Sequence, residues 1–127
     1  MSAASETPLL TVACLCAGWC TTCQAYAAPF AQLARTLPQT RFVWIDIEAH
    51  ADALGDAALD IESFPTVLLL RGDAPAFFGT LLPHAATLER LVRAARDDAA
   101  LRVTDATGLA LAGPVAALVR DRVVQAM

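Results

Sequence analysis

Apolar positions along the chain fall into short dense runs separated by amphipathic stretches. Leu9 to Cys16 is nearly continuous apolar sequence, the length and valine content of a strand buried on both faces, as in a parallel sheet. Ala17-Gly18-Trp19 breaks it. From Cys20 the apolar residues Cys23, Tyr26, Phe30, Leu33 and Leu37 recur at three- and four-residue steps, which predicts a helix with one apolar stripe. Pro29 should kink that helix, and Pro38 should end it. Phe42 to Ile47 predicts a second buried strand, with Asp46 and Glu48 at its exit. Ala51 to Leu59 reads as a weak alanine-rich helix interrupted by Gly55, and Thr66 to Leu70 as a third buried strand following Pro65. Arg71-Gly72-Asp73 is a turn signal. Ala76 to Leu82 then makes a fourth strand, antiparallel to the third because the connection is so short. Pro83 and His84 introduce a helix to about Arg96, with Leu88, Leu91, Val92 and Ala95 inward.

The last thirty residues carry weaker signals. Asp105-Ala-Thr-Gly108 reads as a turn, and Gly113-Pro114 as a helix start, since proline suits the first helical position. Val115, Leu118, Val119 and Val123 then form an apolar stripe that could cover the sheet edge or the helix layer, or form a dimer contact. The order βαβαββα places the chain in the α/β class, with a central four-stranded mixed sheet flanked by helices and a C-terminal extension bearing one more helix. The expected organisation is a flexible tail at 1–8, a domain at 9–97, and an extension at 98–127 packed on that domain.

Composition narrows the function. The 127 residues suit one domain. With 57% apolar and 17% charged residues, disorder is excluded for most of the chain. No apolar run approaches the ~20 residues of a membrane span. The net charge is −4 with no basic patch, so a nucleic-acid footprint is absent. All nine positive side chains are arginine, and lysine and asparagine do not occur, a coding bias that suggests a bacterial source. Met1 to Pro8 lacks the positive start of a secretory leader, so the expected location is cytoplasmic.

All four cysteines, Cys14, Cys16, Cys20 and Cys23, lie within ten residues. A structural disulfide framework would spread them, whereas clustering in a reducing compartment points to redox chemistry or metal binding. Trp19-Cys20-Thr21-Thr22-Cys23 stands where a buried strand gives way to a helix. Unpaired N–H groups and the partial positive charge at a helix N-terminus stabilise a thiolate, so Cys20 should be acidic and nucleophilic. Cys23, one turn on, can reach Cys20 and resolve a mixed disulfide. A C-x-x-C alone also suits zinc; after a strand and opening a helix, it favours redox chemistry.

The segment Ala17-Gly-Trp-Cys-Thr-Thr-Cys23 resembles the active-site segment of thioredoxins. Ser63-Phe64-Pro65-Thr66 with the apolar run after it resembles the cis-proline loop of that superfamily. The resemblance covers about residues 9–97 and implies a thiol–disulfide oxidoreductase that reduces protein disulfides. It implies a cis Pro65 beside the cysteine pair, a backbone at Phe64 that pairs with an extended substrate segment, and a substrate groove shaped by Trp19, Phe64, Pro65 and Thr66. No cofactor is needed. The implied partners are disulfide-bearing proteins and a reductase or small thiol as electron donor, with no nucleic acid and no membrane.

The sequence also departs from the family. Only eight residues precede the first strand, where typical thioredoxins have a further strand and helix. Thr21-Thr22 replaces the usual Gly-Pro. Cys14 stands in place of a buried Asp, Cys16 in place of a Trp, and Trp44 in place of a Lys that commonly partners that Asp. Pro29 is one position late. Cys14 and Cys16 face the same way along their strand. They read as two small buried residues, as a pair of which one is an extra redox partner, or as half of a four-cysteine metal site. The last would place two ligands in a buried strand with no carboxylate or histidine to help. The alternative functions are a binding module that keeps the pair with weak or no turnover, and a metal-binding protein using Cys14, Cys16, Cys20 and Cys23. His50 and His84 read as surface or capping residues, and Arg90, Arg93 and Arg96 as a solvated helix face.

Overall fold

The computed structural model describes residues 10–37, 39–80, 84–98, 100–121 and 123–124. The expected tail at 1–8, together with Leu9, Pro38, Leu81, Leu82 and Pro83, lies outside them. The elements are β1 (Leu10–Cys16), α1 (Thr21–Thr36), β2 (Thr40–Asp46), α2 (Ala51–Leu54), a 3₁₀ turn (Asp56–Asp60), β3 (Thr66–Arg71), β4 (Ala74–Thr80), α3 (Ala85–Asp97) and α4 (Ala106–Arg120). The sheet order is β2-β1-β3-β4. β1 runs parallel to β2 and antiparallel to β3, and β3 is antiparallel to β4. This is the four-stranded mixed sheet expected from the pattern.

The nearly continuous apolar run of β1 has its cause in two covered faces. Alternate residues Leu10, Val12, Cys14 and Cys16 join Val67, Leu69 and Phe42 in a core with Cys23, Tyr26, Phe30 and Leu33 of α1 and Leu88, Val92 and Ala95 of α3. The intervening Ala13 and Leu15 join Val43, Ile45, Leu68 and Leu70 in a second core with Leu54, Ala58 and the α4 residues Leu111, Ala112, Val115 and Leu118. Phe77 and Phe78 divide between the two cores, as alternation along a strand requires. Pro29 lies inside α1 and leaves the Ala25 carbonyl without its helical donor.

β4 begins at Ala74, two residues before the expected start. A two-residue turn pairs Arg71 with Ala74, and Gly72 at its first position takes φ 63°, where glycine is unstrained. Register shifts at Leu69/Leu70. Pro75 is tolerated there because β4 is an edge strand, and its carbonyl accepts the Val103 N–H at 3.2 Å.

The C-terminal extension corrects the sequence reading. Asp105 to Gly108 is not a free turn, and Gly113-Pro114 does not start the helix. The Asp105 carboxylate accepts the Thr107 N–H at 2.8 Å and the Gly108 N–H at 3.2 Å, and α4 begins at once with Pro114 in its interior. The missing Pro114 hydrogen bond is offset by the apolar face that α4 buries. Val123, expected in the stripe, lies beyond the helix and is exposed. At Gly108 a Cβ would fall 2.8 Å from Phe78 and Val103 side-chain carbons, so only glycine lets the helix sit this close. Because one carboxylate closes two orphan N–H groups, Asp105→Ala should lower unfolding free energy by about 1 kcal/mol in a urea titration; an unchanged midpoint would show that the cap does not hold α4.

Candidate active site

The turn between β1 and α1 is built mostly from backbone. The Cys16 carbonyl accepts the Ile47 N–H at 2.9 Å, and the Ala17 carbonyl accepts the Cys20 N–H at 3.0 Å. The chain therefore reverses within four residues. Gln24 ties the turn down by donating its side-chain amide to the Gly18 carbonyl at 3.2 Å, a contact that no local pattern announces. Asp46 lies against this turn, since a Cβ at Gly18 would fall 3.4 Å from its Oδ2. Its Oδ1 accepts the N–H groups of Glu48 and Ala49 at 2.9 and 3.2 Å and shapes the bend after β2.

Cys20 occupies the N-cap of α1 with extended backbone, and its Sγ accepts the Cys23 N–H at 3.4 Å. Caps of this kind are usually oxygen acceptors; here sulfur fills the role. No acidic residue stands in the first turn to compete for the helix end. The Cys23 backbone N–H is the main cause that lowers the Cys20 pKa below the ordinary thiol value, with the Cys23 side chain and the Thr22 N–H adding to it against the cost of burial. Cys23 is the opposite case. It is 1% exposed, and burial, followed by the neighbouring Cys16 thiol, pushes its pKa up. One helical turn thus separates an ionisable thiol at the rim from a proton-holding thiol beneath it. All four cysteines are free thiols in this structure.

This asymmetry predicts a pH profile. The thiolate fraction of Cys20 grows as pH rises through its depressed pKa, so its alkylation by iodoacetamide should have a midpoint below about 8.5. Cys23 should stay unlabelled in the folded protein. A Cys20 midpoint at or above the free-thiol value would contradict the N-cap assignment.

Register brings the second loop alongside. Thr66 pairs with Leu15 across β1 and β3, which sets Phe64 and Pro65 beside the Ala17–Cys20 turn. The Phe64–Pro65 peptide is cis. The Thr66 hydroxyl donates to the Ser63 carbonyl at 2.6 Å and fixes the loop's exit into β3. Trp19 is 66% exposed and meets Phe64 edge-to-face at 5.6 Å. Trp19, Cys20, Phe64, Pro65 and Thr66, separated in sequence, therefore gather at one end of the sheet.

Cys14 and Cys16 are both buried, and their sulfurs are 3.5 Å apart. The Cys14 contact and burial push the Cys16 pKa far up. Beside them the buried Tyr26 hydroxyl has no hydrogen-bond partner among the described residues, and its pKa is raised by burial and by these two cysteines. Trp44 packs edge-on against Phe30 at 5.6 Å. Among the described residues no three His, Cys, Asp or Glu side chains are arranged to hold a metal ion. His50 and His84 stand at the N-cap positions of α2 and α3 without side-chain capping bonds. Arg93 pairs with Glu89 at 2.9 Å along the exposed side of α3. Among the described residues, no helix is long and apolar enough to cross a membrane.

The thioredoxin family model matches residues 4–93. No curated protein matches the sequence. Among solved structures, thioredoxin f from spinach chloroplast is similar at 23% identity and TM-score 0.61, covering 71% of this chain and 73% of that one. The germline-specific thioredoxin Deadhead from Drosophila melanogaster is similar at 18% identity and TM-score 0.60, covering 72% and 85%. A thioredoxin from Trypanosoma brucei brucei is similar at 20% identity and TM-score 0.56, covering 76% and 88%.

Proposed function

The chain belongs to the thioredoxin family, a family of thiol–disulfide oxidoreductases, and from that membership we propose that it reduces disulfides in other proteins by dithiol exchange. The observation that carries the proposal is the position of Cys20, its sulfur at the helix N-cap accepting the Cys23 N–H. The Cys20 thiolate attacks one sulfur of the substrate disulfide and expels the other as a thiolate. Cys23 then loses its proton to water at the mouth of the site and attacks Cys20 Sγ. The substrate's second sulfur leaves, and a Cys20–Cys23 disulfide remains. Two electrons from a reductase or a small thiol restore the dithiol. With Cys14 where the family's buried acid stands, that acid is not there to take the Cys23 proton, and resolution is the slower half of the cycle.

Recognition follows from the second loop. The Phe64 backbone is placed to pair with an extended substrate segment, while the exposed Trp19–Phe64 edge contacts apolar side chains, and Pro65 and Thr66 set the depth of the groove. Dithiol reduction of this kind suits a reducing compartment such as the cytoplasm. The test is reduction of the insulin interchain disulfides with dithiothreitol as electron source. The protein should accelerate the reaction well above dithiothreitol alone. A rate equal to that background overturns the proposal and leaves a binding module.

A further inference from the structure

The exchange chemistry just described uses two of four clustered thiols, and the other two are not inert filler by position. Cys16 is the last residue of β1, and the four-residue turn after it folds α1 back so that Cys16 and Cys23, 2% and 1% exposed, share one core face. The Cys16 thiol touches that of Cys14 at 3.5 Å, and α1 brings Cys23 into the same core, where each side chain is among the causes that shift the other's pKa. We propose that Cys16 is a third exchanging cysteine, which takes over the bond to Cys23 from an oxidised Cys20–Cys23 pair and leaves Cys20 a free thiol without its resolving partner. The inference rests on the disulfide-exchange reading above.

The choice of Cys23 over Cys14 as the partner comes from strand geometry. Residues two apart on a strand lie about 6.6–6.8 Å apart, the upper end of the Cα separation that a disulfide spans. Cys14 is also held on both sides, opposite Trp44 and Val67. A Cys14–Cys16 bond would have to bend the central strand. Cys23 sits on a separate element and carries no such restraint.

The step balances internally. Cys16 gives up its proton and attacks Cys23 Sγ, the Cys16–Cys23 bond forms and the Cys20–Cys23 bond breaks. The electron pair passes to Cys20 Sγ, which receives a proton or stays a thiolate. One disulfide replaces another, and no outside oxidant or reductant enters. Cys20 is the favoured leaving sulfur because the helix end lowers its pKa, and lower-pKa thiols leave faster. Burial keeps Cys16 protonated, so the shift is slow relative to exchange at Cys20. Once shifted, the protein works through Cys20 alone and holds a captured partner as a mixed disulfide until an external thiol releases it.

Cleavage after Trp19 separates Cys14 and Cys16 from Cys20 and Cys23, which makes the bond readable. The protein is oxidised with one equivalent of diamide, quenched in acid at intervals, alkylated and cut with chymotrypsin. The expected result is early Cys20–Cys23 closure, followed by two peptides joined across Trp19 with Cys14 and Cys20 alkylated. The joined species should also form in Cys20→Ser, persist in Cys14→Ala and be lost in Cys16→Ala. Oxidised wild-type protein that holds only Cys20–Cys23, with no joined species in Cys20→Ser, overturns the inference and leaves the exchange reading standing. Persistence of the joined species in Cys16→Ala also overturns it. Failure of Cys20–Cys23 itself to close overturns both.

Discussion

Cys20→Ser should lose disulfide reduction by on the order of 10³-fold or more, the scale on which removing a nucleophile acts, while Cys23→Ser should stall with substrate attached. The two outcomes differ because the helix end treats the two sulfurs differently. Cys20 is the N-cap acceptor, and in the proposed cycle its depressed pKa supplies the attacking thiolate. A serine there can still accept the Cys23 N–H, since serine is a good cap, so the fold survives and the loss is chemical. In Cys23→Ser the nucleophile remains, attack proceeds, and the Cys20–substrate bond has no internal sulfur to release it. Mass spectrometry of non-reduced protein should show the adduct in Cys23→Ser and none in Cys20→Ser. Turnover by Cys20→Ser at the wild-type rate would sink the assignment of the nucleophile, and adduct on another cysteine would relocate it.

Much of this was legible because the signals are local. The three- and four-residue spacing from Cys23 to Leu33 marks α1, and an apolar run too short for a helix marks β1. Phe-Pro-Thr before a second such run marks the loop into β3. What was not legible depends on partners distant in sequence. Gly113-Pro114 looks like a helix start, yet the Asp105 cap and the apolar cover that α4 provides over Leu68 and Leu70 outweigh a proline in the helix interior. The early start of β4 depends on a two-residue turn, and the shift at Leu69/Leu70 on pairing with β3. In the site, alternation along β1 puts Cys14 and Cys16 on one face, but only the packing of α1 over that face brings Cys16 and Cys23 into one core. The unpartnered Tyr26 hydroxyl and the Gln24 tie to Gly18 have no sequence signature, because helical spacing says which side a residue faces and not what waits there.

That packing predicts the largest stability effect in the molecule. Phe30 is fully buried and meets Phe42 at 5.1 Å and Trp44 at 5.6 Å edge-on, with Tyr26 tilted against it at 5.9 Å. Phe30→Ala removes the ring that joins α1 to β2 and leaves a cavity among rigid aromatics that cannot collapse around it. The expected loss is about 3–5 kcal/mol, a large part of the ~5–15 kcal/mol that holds a domain together. A urea titration measures it, and a loss below about 1 kcal/mol would mean that the aromatic cluster is not the anchor of the helix. The same substitution should reach the site. α1 carries Cys23 at its first turn and Phe30 two turns on, both on the buried stripe. A helix loosened at Phe30 opens locally more often, and each opening exposes Cys23 to reagent. Cys23 alkylation, absent in the parent, should therefore appear in Phe30→Ala under native conditions, at a rate that rises with added urea well below the unfolding midpoint. If Cys23 stays protected until global unfolding, the burial that keeps it protonated is set by the turn and β1 alone, and the aromatic cluster serves stability without governing the chemistry.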